Sequence, residues 1–278
     1  MQALLESLEP GSRDHALASA LDRTRLPAHI GIIMDGNGRW ANRRFLPRVA
    51  GHRAGVDSVR TTVETCAMAG IQVLTLYAFS IENWKRPRAE VETLWRLLHF
   101  YLGQELDRLR KNNVSLKAIG RLEALPAAVK QELQAAIDAT AGNTGLTLNL
   151  AINYGGRTEI VDAVNALIED ARRTESLASL RVTEDGIEGR LYTAGQPEPD
   201  LLIRTSGEMR ISNFLLWQGA YSELYITDTC WPDFSRTDLL EALADYQRRD
   251  RRFGGLQPAA EPSAKPARVD EAVSLPTS

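Results

Sequence analysis

The sequence predicts an α/β fold, with one domain built on a mostly parallel central sheet and helices on both faces. Short apolar runs alternate with longer segments of helical periodicity, which is the βαβα rhythm of such folds. The runs are continuous in Val, Leu and Ile, as expected for strands buried on both faces. A chain of 278 residues fits one large domain or two small ones and can bury a sizeable core.

The elements are predicted from this alternation in chain order. Residues 1–26 resemble a loose amphipathic helix that ends at Pro27, and the apolar run "HIGIIM" at 29–34 forms the first strand. A helix over 51–69 stops at Gly70, before a strand over 71–79. The remaining elements are helices over 88–111, 126–140, 156–172, 184–192 and 236–249, with strands over 114–120, 145–153, 200–205 and 223–228. Residues 256–278 are rich in Pro, Ala and Ser and predict a disordered tail.

Composition excludes several classes of protein. A hydrophobic content of 44% and a charged content of 25% are ordinary for a soluble globular chain. The net charge of −3 argues against non-specific coating of nucleic acid, so no nucleic-acid partner is predicted. Cys66 and Cys230 lie far apart and match no metal-site spacing, which favours a reducing cytoplasm. No secretory signal is visible, and no run approaches the roughly 18 apolar residues of a membrane span.

Four polar loops follow four of the predicted strands. They are "DGNGRW" after the first strand, "SIENWKR" after the second, "NYGGR" after the fourth and "RTSGEMRIS" after the fifth. In parallel sheets, ligands bind beyond the carboxyl ends of the strands, and all these ends lie on one edge. The four loops therefore predict one shared site.

The first loop has the composition of a diphosphate site. Gly36 and Gly38 flank a small polar residue, which lets backbone N–H groups converge on an anion. Three cationic or hydrogen-bond-donating side chains follow, namely Arg39, Arg48 and His52. Asp35 would bind a Mg²⁺ ion that bridges to the anion. The alternative is a tight turn in which Asp35 only caps a helix.

The second loop carries five polar or aromatic candidates, which are Ser80, Glu82, Asn83, Trp84 and Arg86. Helix capping by Ser80 or Asn83 explains one such residue but not five. In the loop "NYGGR" we assign Gly155 and Gly156 mainly to close packing between strand and helix.

The last loop predicts a second anion site. Arg204 ends a strand, and Arg210 and Ser212 follow shortly after it. Surface salt bridges are the alternative for either arginine alone. Glu223 lies among aromatic and leucine residues, where it is either a satisfied buried carboxylate or a second metal ligand.

Two anion sites and one metal carboxylate favour the joining of two phosphorylated molecules over hydrolysis. Two other functions compete with this one. The first is a catalytically silent binding subunit, and the second is a Mg²⁺-dependent phosphohydrolase. The second is disfavoured because no nucleophile followed by a supporting Lys is present.

Linked motifs over residues 27–255 resemble the cis-prenyltransferases, most closely the bacterial undecaprenyl diphosphate synthases. The motifs are "HIGIIMDGNGRWA", "GHRAG", "LTLYAFSIENWKRP", "AINYGGR", "DLLIRTSGEMRISNFLLWQ" and "WPDF". The resemblance implies a Mg²⁺-dependent transferase that condenses isopentenyl diphosphate repeatedly onto an allylic diphosphate with Z stereochemistry. The implied product is a long polyprenyl diphosphate such as undecaprenyl diphosphate, the precursor of the cell-wall lipid carrier.

The resemblance also implies roles for individual residues. Asp35 and Glu223 would hold the metal, and Asn83 would act as proton acceptor beside Ser80. The residues implied to bind the allylic substrate are Gly36, Asn37, Gly38, Arg39, Trp40, Arg48 and His52. Those of the second loop implied to bind substrate are Ser80, Ile81, Glu82, Trp84 and Arg86. Those implied to bind isopentenyl diphosphate are Arg204, Arg210, Ile211 and Ser212.

Assembly and location follow from the same resemblance. It implies a homodimer in which residues 251–255, "RRFGG", contribute to the neighbouring subunit's site. It implies farnesyl diphosphate as the primer and a cytoplasmic enzyme that hands its product to the inner face of the membrane. The growing hydrocarbon would occupy a hydrophobic tunnel, and residues 94–102 are a candidate wall, although a core role is the alternative for them.

Overall fold

The computed structural model describes residues 1–249, which form one α/β domain. Its strands are β1 (His29–Ile33), β2 (Val73–Ser80), β3 (Ser115–Ile119), β4 (Thr147–Tyr154), β5 (Leu201–Arg204) and β6 (Glu223–Ile226). Its helices are α1 (Gln2–Glu6), α2 (Arg13–Ala20), α3 (Asn37–Arg43), α4 (Arg48–Ala69), α5 (Arg88–Lys111), α6 (Ala127–Thr140), α7 (Gly156–Arg173), α8 (Glu184–Glu188) and α9 (Arg236–Arg248).

The six strands form one sheet in the order β3-β4-β2-β1-β5-β6. Every strand pair in this sheet is parallel, which confirms the predicted fold class. β1 and β5 are neighbours, with Ile33 in register with Arg204. The loops that follow β1 and β5 therefore leave the sheet side by side, and so do the loops that follow β2 and β4.

Apolar side chains cover both faces of the sheet. Successive strand residues point to opposite faces, so Ile32 belongs to the larger core cluster and Ile33 to the smaller one. The larger cluster gathers buried residues of α4, α5, α6 and α9. In the smaller cluster, Phe214 and Leu215 pack against Tyr154. Helices on both faces were predicted from the sequence. The carboxyl edge of the sheet is not covered by these helices and carries the polar loops.

The amino-terminal extension forms two helices, so the prediction of one helix over 1–26 is wrong. Gly11 has φ +83°, a left-handed conformation in which the chain turns between α1 and α2. Ser12 then caps α2 by accepting a hydrogen bond from the His15 N–H at 3.2 Å. Leu4 of α1 is fully buried in the larger core cluster. The extension is thus part of the domain core.

Helix α3 was not predicted. The sequence analysis treats the segment after Asp35 as a glycine loop, whereas a helix begins at Asn37. Gly36 makes this possible, since it takes φ +102° as the residue that precedes the helix. The helix expected over 51–69 also begins earlier, at Arg48. Residues 251–255 and the tail predicted over 256–278 lie outside the described residues.

Within residues 1–249, no helix combines the length and the apolar character that crossing a bilayer demands.

Replacing Leu4 by Ala should destabilise the whole domain, because its fully buried side chain joins α1 to the core cluster. We expect the free energy of unfolding to fall by about 2–5 kcal/mol, the usual cost of a buried Leu→Ala change. Urea unfolding measures this change. The control Leu177→Ala alters an exposed side chain and should have little effect. An unchanged unfolding midpoint for Leu4→Ala would show that the extension folds apart from the core.

Candidate active site

Asp35 lies two residues beyond the end of β1, at the carboxyl edge of the sheet. Its backbone N–H donates to the Thr205 hydroxyl at 2.9 Å, and that hydroxyl donates to the Asp35 carbonyl at 2.7 Å. The Gly36 N–H donates to Asp35 Oδ1 at 2.7 Å. These contacts tie the turn after β1 to the turn after β5 and fix the direction of the carboxylate.

Arg204, the last residue of β5, joins the two turns through its side chain. Its Nη2 donates to Asp35 Oδ2 at 2.8 Å, and its Nη1 donates to Ser212 Oγ at 2.7 Å. The same Nη1 also donates to the Arg210 carbonyl. The Arg204 side chain is only 6% exposed, and its Nε has no partner in the described part of the chain. A buried guanidinium with spare donors is suited to an anionic ligand.

Two helices begin beside this pair, and both starts face the same space. The first N–H groups of α3, at residues 37–39, have no partner within the helix, as at every helix start. Gly36, Asn37 and Gly38 line the cavity described below, together with Arg48 at the start of α4. Helix starts are favourable positions for phosphate groups.

Glycines on α4 bring the two helix starts together. A Cβ at Gly51 would lie 1.9 Å from the Asn37 carbonyl oxygen, and a Cβ at Gly55 would lie 2.7 Å from Asn37 Oδ1. These glycines are one helical turn apart and therefore share a face. The Trp231 ring N–H donates to the Gly55 carbonyl at 2.9 Å. The "WPDF" turn therefore packs against the same face of α4. The motif "GHRAG" is thus a packing surface for α3 as well as a carrier of His52.

His52 lines the cavity as a neutral imidazole. Burial lowers its pKa to about 4, with the positive charges of Arg86 and Arg48 acting in the same direction and Glu90 opposing them. Its Nε2 is buried without a hydrogen-bond partner among the described residues. His52 was predicted to be a cationic or hydrogen-bond-donating group, and in the structure it is an uncharged ring. A bound anion would raise its pKa.

Glu90 holds two of the predicted arginines. Arg86 Nη1 donates to Glu90 Oε1 at 3.1 Å, and Arg48 Nη2 lies 3.8 Å from the same oxygen. This arrangement links the start of α5 to the start of α4 above the cavity. Glu90 was not among the site residues predicted from the sequence, so its bridging role was missed.

The second loop forms a single turn over residues 81–85, directly after β2. Ser80 donates its backbone N–H to Asn83 Oδ1 at 3.1 Å, so Asn83 does cap this turn while it lines the cavity. Glu82 also lines the cavity, and it accepts a hydrogen bond from Asn213 at 2.9 Å. Trp84 donates its ring N–H to Asn153 at 2.8 Å. Capping and site formation therefore coexist in this loop.

One cavity of about 780 Å³ runs from these polar groups down between the sheet and the pair α4–α5. Its polar end contains twelve of the predicted residues: Asp35, Gly36, Asn37, Gly38, Arg48, His52, Ser80, Glu82, Asn83, Arg86, Arg204 and Ser212. Its apolar walls come from both helices and the strands, and they include Val56, Val59, Val63, Leu94, Leu98, Leu102, Leu116 and Leu148. Polar groups thus lie at one end of a largely apolar channel.

Helix α5 supplies both core and channel wall from residues 94–102. Leu94, Leu98 and Leu102 line the cavity. Trp95 is buried in the core cluster, whereas Phe100 is exposed. Both readings of this segment, core and tunnel wall, are therefore correct for different residues.

Several predicted residues lie near the cavity but do not line it. Arg39 pairs with Asp35 at 3.4 Å and with Glu208 at 3.2 Å. Trp40 donates its ring N–H to Asp233 at 2.7 Å. Arg210 pairs with Glu208. The others outside the lining are Ile81, Trp84 and Ile211.

Glu223 does not share a site with Asp35 within one chain, so the prediction of a joint metal site is wrong for a single subunit. Glu223 begins β6 and is in register with Leu201, which is itself in register with Ile30. Asp35 lies five residues beyond Ile30, roughly 16 Å further along at about 3.3 Å per residue. Glu223 instead pairs with Arg249 at 3.0 Å, at the amino edge of the sheet.

Asn213 was missed although it lines the cavity. Its φ of +64° and its neighbours explain the glycines of "NYGGR": a Cβ at Gly155 would lie 2.7 Å from Asn213 Nδ2. A Cβ at Gly156 would lie 2.8 Å from Leu216. These glycines are structural, as predicted. They make room for the loop that carries Ser212, whereas the sequence predicted that they allow a helix to pack closely against a strand. The sequence signal that could have identified Asn213 is its position directly after Ser212, in a turn without glycine.

A magnesium site is compatible with Asp35, although the protein groups alone would not complete it. Within residues 1–249, no cluster of three or more His, Cys, Asp or Glu side chains is arranged to hold a metal. Mg²⁺ commonly binds one or two carboxylates together with substrate phosphates and water. The partly exposed Asp35 carboxylate, facing a cavity with phosphate-binding groups, meets that description.

Comparison with known proteins identifies the family. Residues 33–254 match the family model of undecaprenyl diphosphate synthase. The chain belongs to this family. It is 54% identical to an isoprenyl transferase of Heliobacterium mobile over 249 residues, covering 88% of this chain and 94% of that protein. It is 52% identical to an isoprenyl transferase of Clostridium tetani over 236 residues, covering 85% and 92% of the two chains.

A solved structure agrees with the family fold. Lavandulyl diphosphate synthase from Lavandula x intermedia, in complex with dimethylallyl diphosphate, aligns with a TM-score of 0.79 and 35% identity. The alignment covers 83% of this chain and 99% of that one. The predicted enzyme class, a prenyltransferase of the cis-prenyltransferase type, is thereby confirmed.

The buried neutral His52 should make the stability of the protein depend on pH. Because its folded pKa of about 4 lies below the ordinary 6.5, the unfolded chain binds the proton more tightly. The stabilising contribution is therefore present above pH 6.5 and is lost as the pH falls towards 4. We expect His52→Gln to remove about 3 kcal/mol of this pH dependence between those values, as measured by urea unfolding.

The control His99→Gln alters an exposed histidine on α5 and should leave the pH dependence as in the wild type. His29 has a similarly low pKa and remains in both variants, so part of the dependence persists. Equal pH profiles for His52→Gln and the wild type would contradict a buried neutral His52.

Proposed function

We propose that this prenyltransferase uses Mg²⁺ to condense isopentenyl diphosphate repeatedly onto an allylic diphosphate, with farnesyl diphosphate as primer and undecaprenyl diphosphate as product. The observation that carries the proposal is the cavity, where phosphate-binding groups meet at one end of a channel lined by leucine and valine. A substrate with a diphosphate head and an isoprenoid chain matches both ends. Isoprenyl transferases at 50% identity and above support the same reaction class.

The allylic diphosphate would bind at the starts of α3 and α4. The first N–H groups of α3 have no partner within the helix, and Asn37 and Gly38 line the cavity. Arg48 and His52 line the same cavity, and His52 Nε2 has no partner among residues 1–249. Arg39, held between Asp35 and Glu208, can turn towards the head group from the rim. Together they would stabilise the negative charge that grows on the departing diphosphate when the allylic C–O bond breaks.

Isopentenyl diphosphate would bind next to it, at Arg204, Arg210 and Ser212. The Arg204 guanidinium already donates to Ser212 Oγ and to the Arg210 carbonyl, so it holds the loop in place. Within the described part of the chain, its buried Nε lacks a partner and its Nη2 donates only to Asp35. These donors are arranged before the substrate arrives, which reduces the reorganisation needed for catalysis.

Asp35 would be the protein's ligand to Mg²⁺. When bound, the metal would neutralise the diphosphate charge and assist its departure. The Gly36 N–H and Arg204 order the Asp35 carboxylate, and its side chain remains 31% exposed beside the cavity. Arg204 pairs with Asp35 in the free enzyme and would turn its donors towards a diphosphate once a cation satisfies the carboxylate.

Asn83 would accept or guide the proton that leaves isopentenyl diphosphate. It lies on the cavity beside Ser80, but its Oδ1 already accepts the Ser80 N–H. An amide is a weak base, so Asn83 is better suited to orienting the substrate while the diphosphate takes the proton.

We infer that the enzyme works as a cytoplasmic homodimer that releases its product to the membrane. Glu223 and Arg249 pair at the amino edge of the sheet, away from Asp35. A second subunit is the remaining source of contacts that would place Glu223 near a metal. Cross-linking with mass spectrometry and analytical ultracentrifugation test the dimer, and fractionation of cells tests the location.

Replacing Asp35 by Asn should lower kcat by about 10²–10³, because the change removes the charge that holds the metal but keeps the shape. Incorporation of radiolabelled isopentenyl diphosphate into butanol-extractable product, with farnesyl diphosphate and Mg²⁺, measures this. The control Asp138→Asn alters a surface carboxylate of α6 and should have wild-type activity. No extractable label from the wild-type chain would favour a silent binding subunit, and release of free phosphate alone would favour a phosphohydrolase.

Replacing Arg204 by Lys should raise KM for isopentenyl diphosphate by about 10–100-fold, the loss expected for charge-assisted hydrogen bonds to one group. Lysine keeps the charge but cannot reach Asp35 and Ser212 together. Steady-state kinetics with each substrate varied in turn measure the effect. An equal rise in KM for farnesyl diphosphate would contradict the assignment of Arg204 to the isopentenyl site.

A further inference from the structure

Charged residues interrupt the apolar wall of the channel, and the Arg60–Glu105 ion pair is the shortest contact among them. Arg60 of α4 donates to Glu105 Oε1 of α5 through Nε at 2.7 Å and through Nη2 at 2.5 Å. Both residues line the cavity, as do Val59 and Leu102, their neighbours on the two helices. Their side chains are 26% and 20% exposed, compared with 92% and 56% for the surface pair Arg88–Glu92 on α5. The Arg60–Glu105 pair is therefore part of the channel wall.

Further charges extend the ion pair along the seam between the two helices, and two of them, Glu64 and Arg108, also line the cavity. Arg60 Nη1 donates to the exposed Asp57 at 2.6 Å. Arg108 lies 3.9 Å from Glu105 and 4.0 Å from Glu64. The hydrogen bond to Glu105 raises the pKa of Arg60, despite the opposing effect of burial. The seam between α4 and α5 at this level consists of alternating charges that extend from the channel to the surface.

The seam lies deep along the channel, far from the diphosphate end. The helices are joined near their starts by the Arg48–Glu90 contact and again by Arg60–Glu105. Twelve residues of α4 separate the two levels, which corresponds to roughly 18 Å at 1.5 Å per residue. The distal end of a growing hydrocarbon would meet this level after several additions.

The free-energy cost of separating two helices depends on whether charged or apolar side chains join them. If the helices separate, Arg60 and Glu105 become hydrated and keep Asp57 and Arg108 as partners. Separation of leucine side chains would instead expose apolar surface to water, which is unfavourable in proportion to its area. Stability alone does not call for charges here, because apolar replacements of buried ion pairs are often neutral or stabilising.

We propose that the Arg60–Glu105 pair clasps α4 to α5 beside the channel and sets the length of the polyprenyl product. This inference rests on the proposed function. The cavity holds a fixed volume, and growth of the chain beyond it requires a wall to give way. The clasp is the part of the wall that can open into water, so its strength decides at which length elongation stops.

The test uses the Arg60→Met/Glu105→Met variant of the full chain, which keeps side-chain length and removes both charges. Product made from farnesyl diphosphate and labelled isopentenyl diphosphate is dephosphorylated and separated by reversed-phase chromatography. We expect the main product to be shorter by one or more isoprene units, because opening an apolar seam would expose methionine side chains to water. The matched control, Arg88→Met/Glu92→Met on the surface of α5, should give the wild-type length.

Charge reversal gives an independent readout if the first variant fails to fold. Arg60→Glu alone should lengthen the product, and Arg60→Glu/Glu105→Arg should restore the wild-type length by re-forming the pair. An unchanged or longer product from folded Arg60→Met/Glu105→Met would overturn the inference. An unchanged length in folded Arg60→Glu, or no restoration by the swap, would overturn it as well. Absence of any elongation by the wild-type chain would instead overturn the proposed function.

Discussion

The contact between Arg204 and Asp35 is the constraint on which the site depends. It joins the ends of two neighbouring strands, β5 and β1, with a nearly buried guanidinium against a partly exposed carboxylate. Burial of a charged group is unfavourable without a partner, so each side chain depends on the other unless a bound ligand replaces it. Thr205 also links the turns that follow β1 and β5, so the two proposed anion-binding regions are held together.

Much of the fold followed from the sequence because its signals are local. Continuous apolar strands and helices ended by Gly70 or begun after Pro87 gave a parallel sheet, and its carboxyl edge gave the position of the site. Helix α3 escaped prediction because one residue, Gly36 in a left-handed conformation, lets a helix start inside an apparent loop. The break between α1 and α2 depends in the same way on Gly11.

The sequence predicted which residues form the site better than it predicted their positions and charge states. Residues next to strand ends, such as Asp35, Asn83 and Arg204, were assigned to one cavity because the topology of a parallel sheet requires it. Glu223 was assigned to the metal site by resemblance alone, although as the first residue of a predicted parallel strand it belongs to the opposite edge of the sheet from Asp35. The neutral state of His52 depends on burial and on charges from α5, which are tertiary contacts.

Helix α4 has a further consequence for engineering. Gly51 and Gly55 allow its first turns to pack closely against Asn37, and its next two turns contribute the valines that line the channel. Under the proposed function, α4 would therefore influence both recognition of the diphosphate head group and accommodation of the hydrocarbon tail. A substitution that tilts α4 to widen the hydrocarbon space would also displace the α3 backbone amides proposed to bind the primer, so size selectivity and primer affinity would vary together.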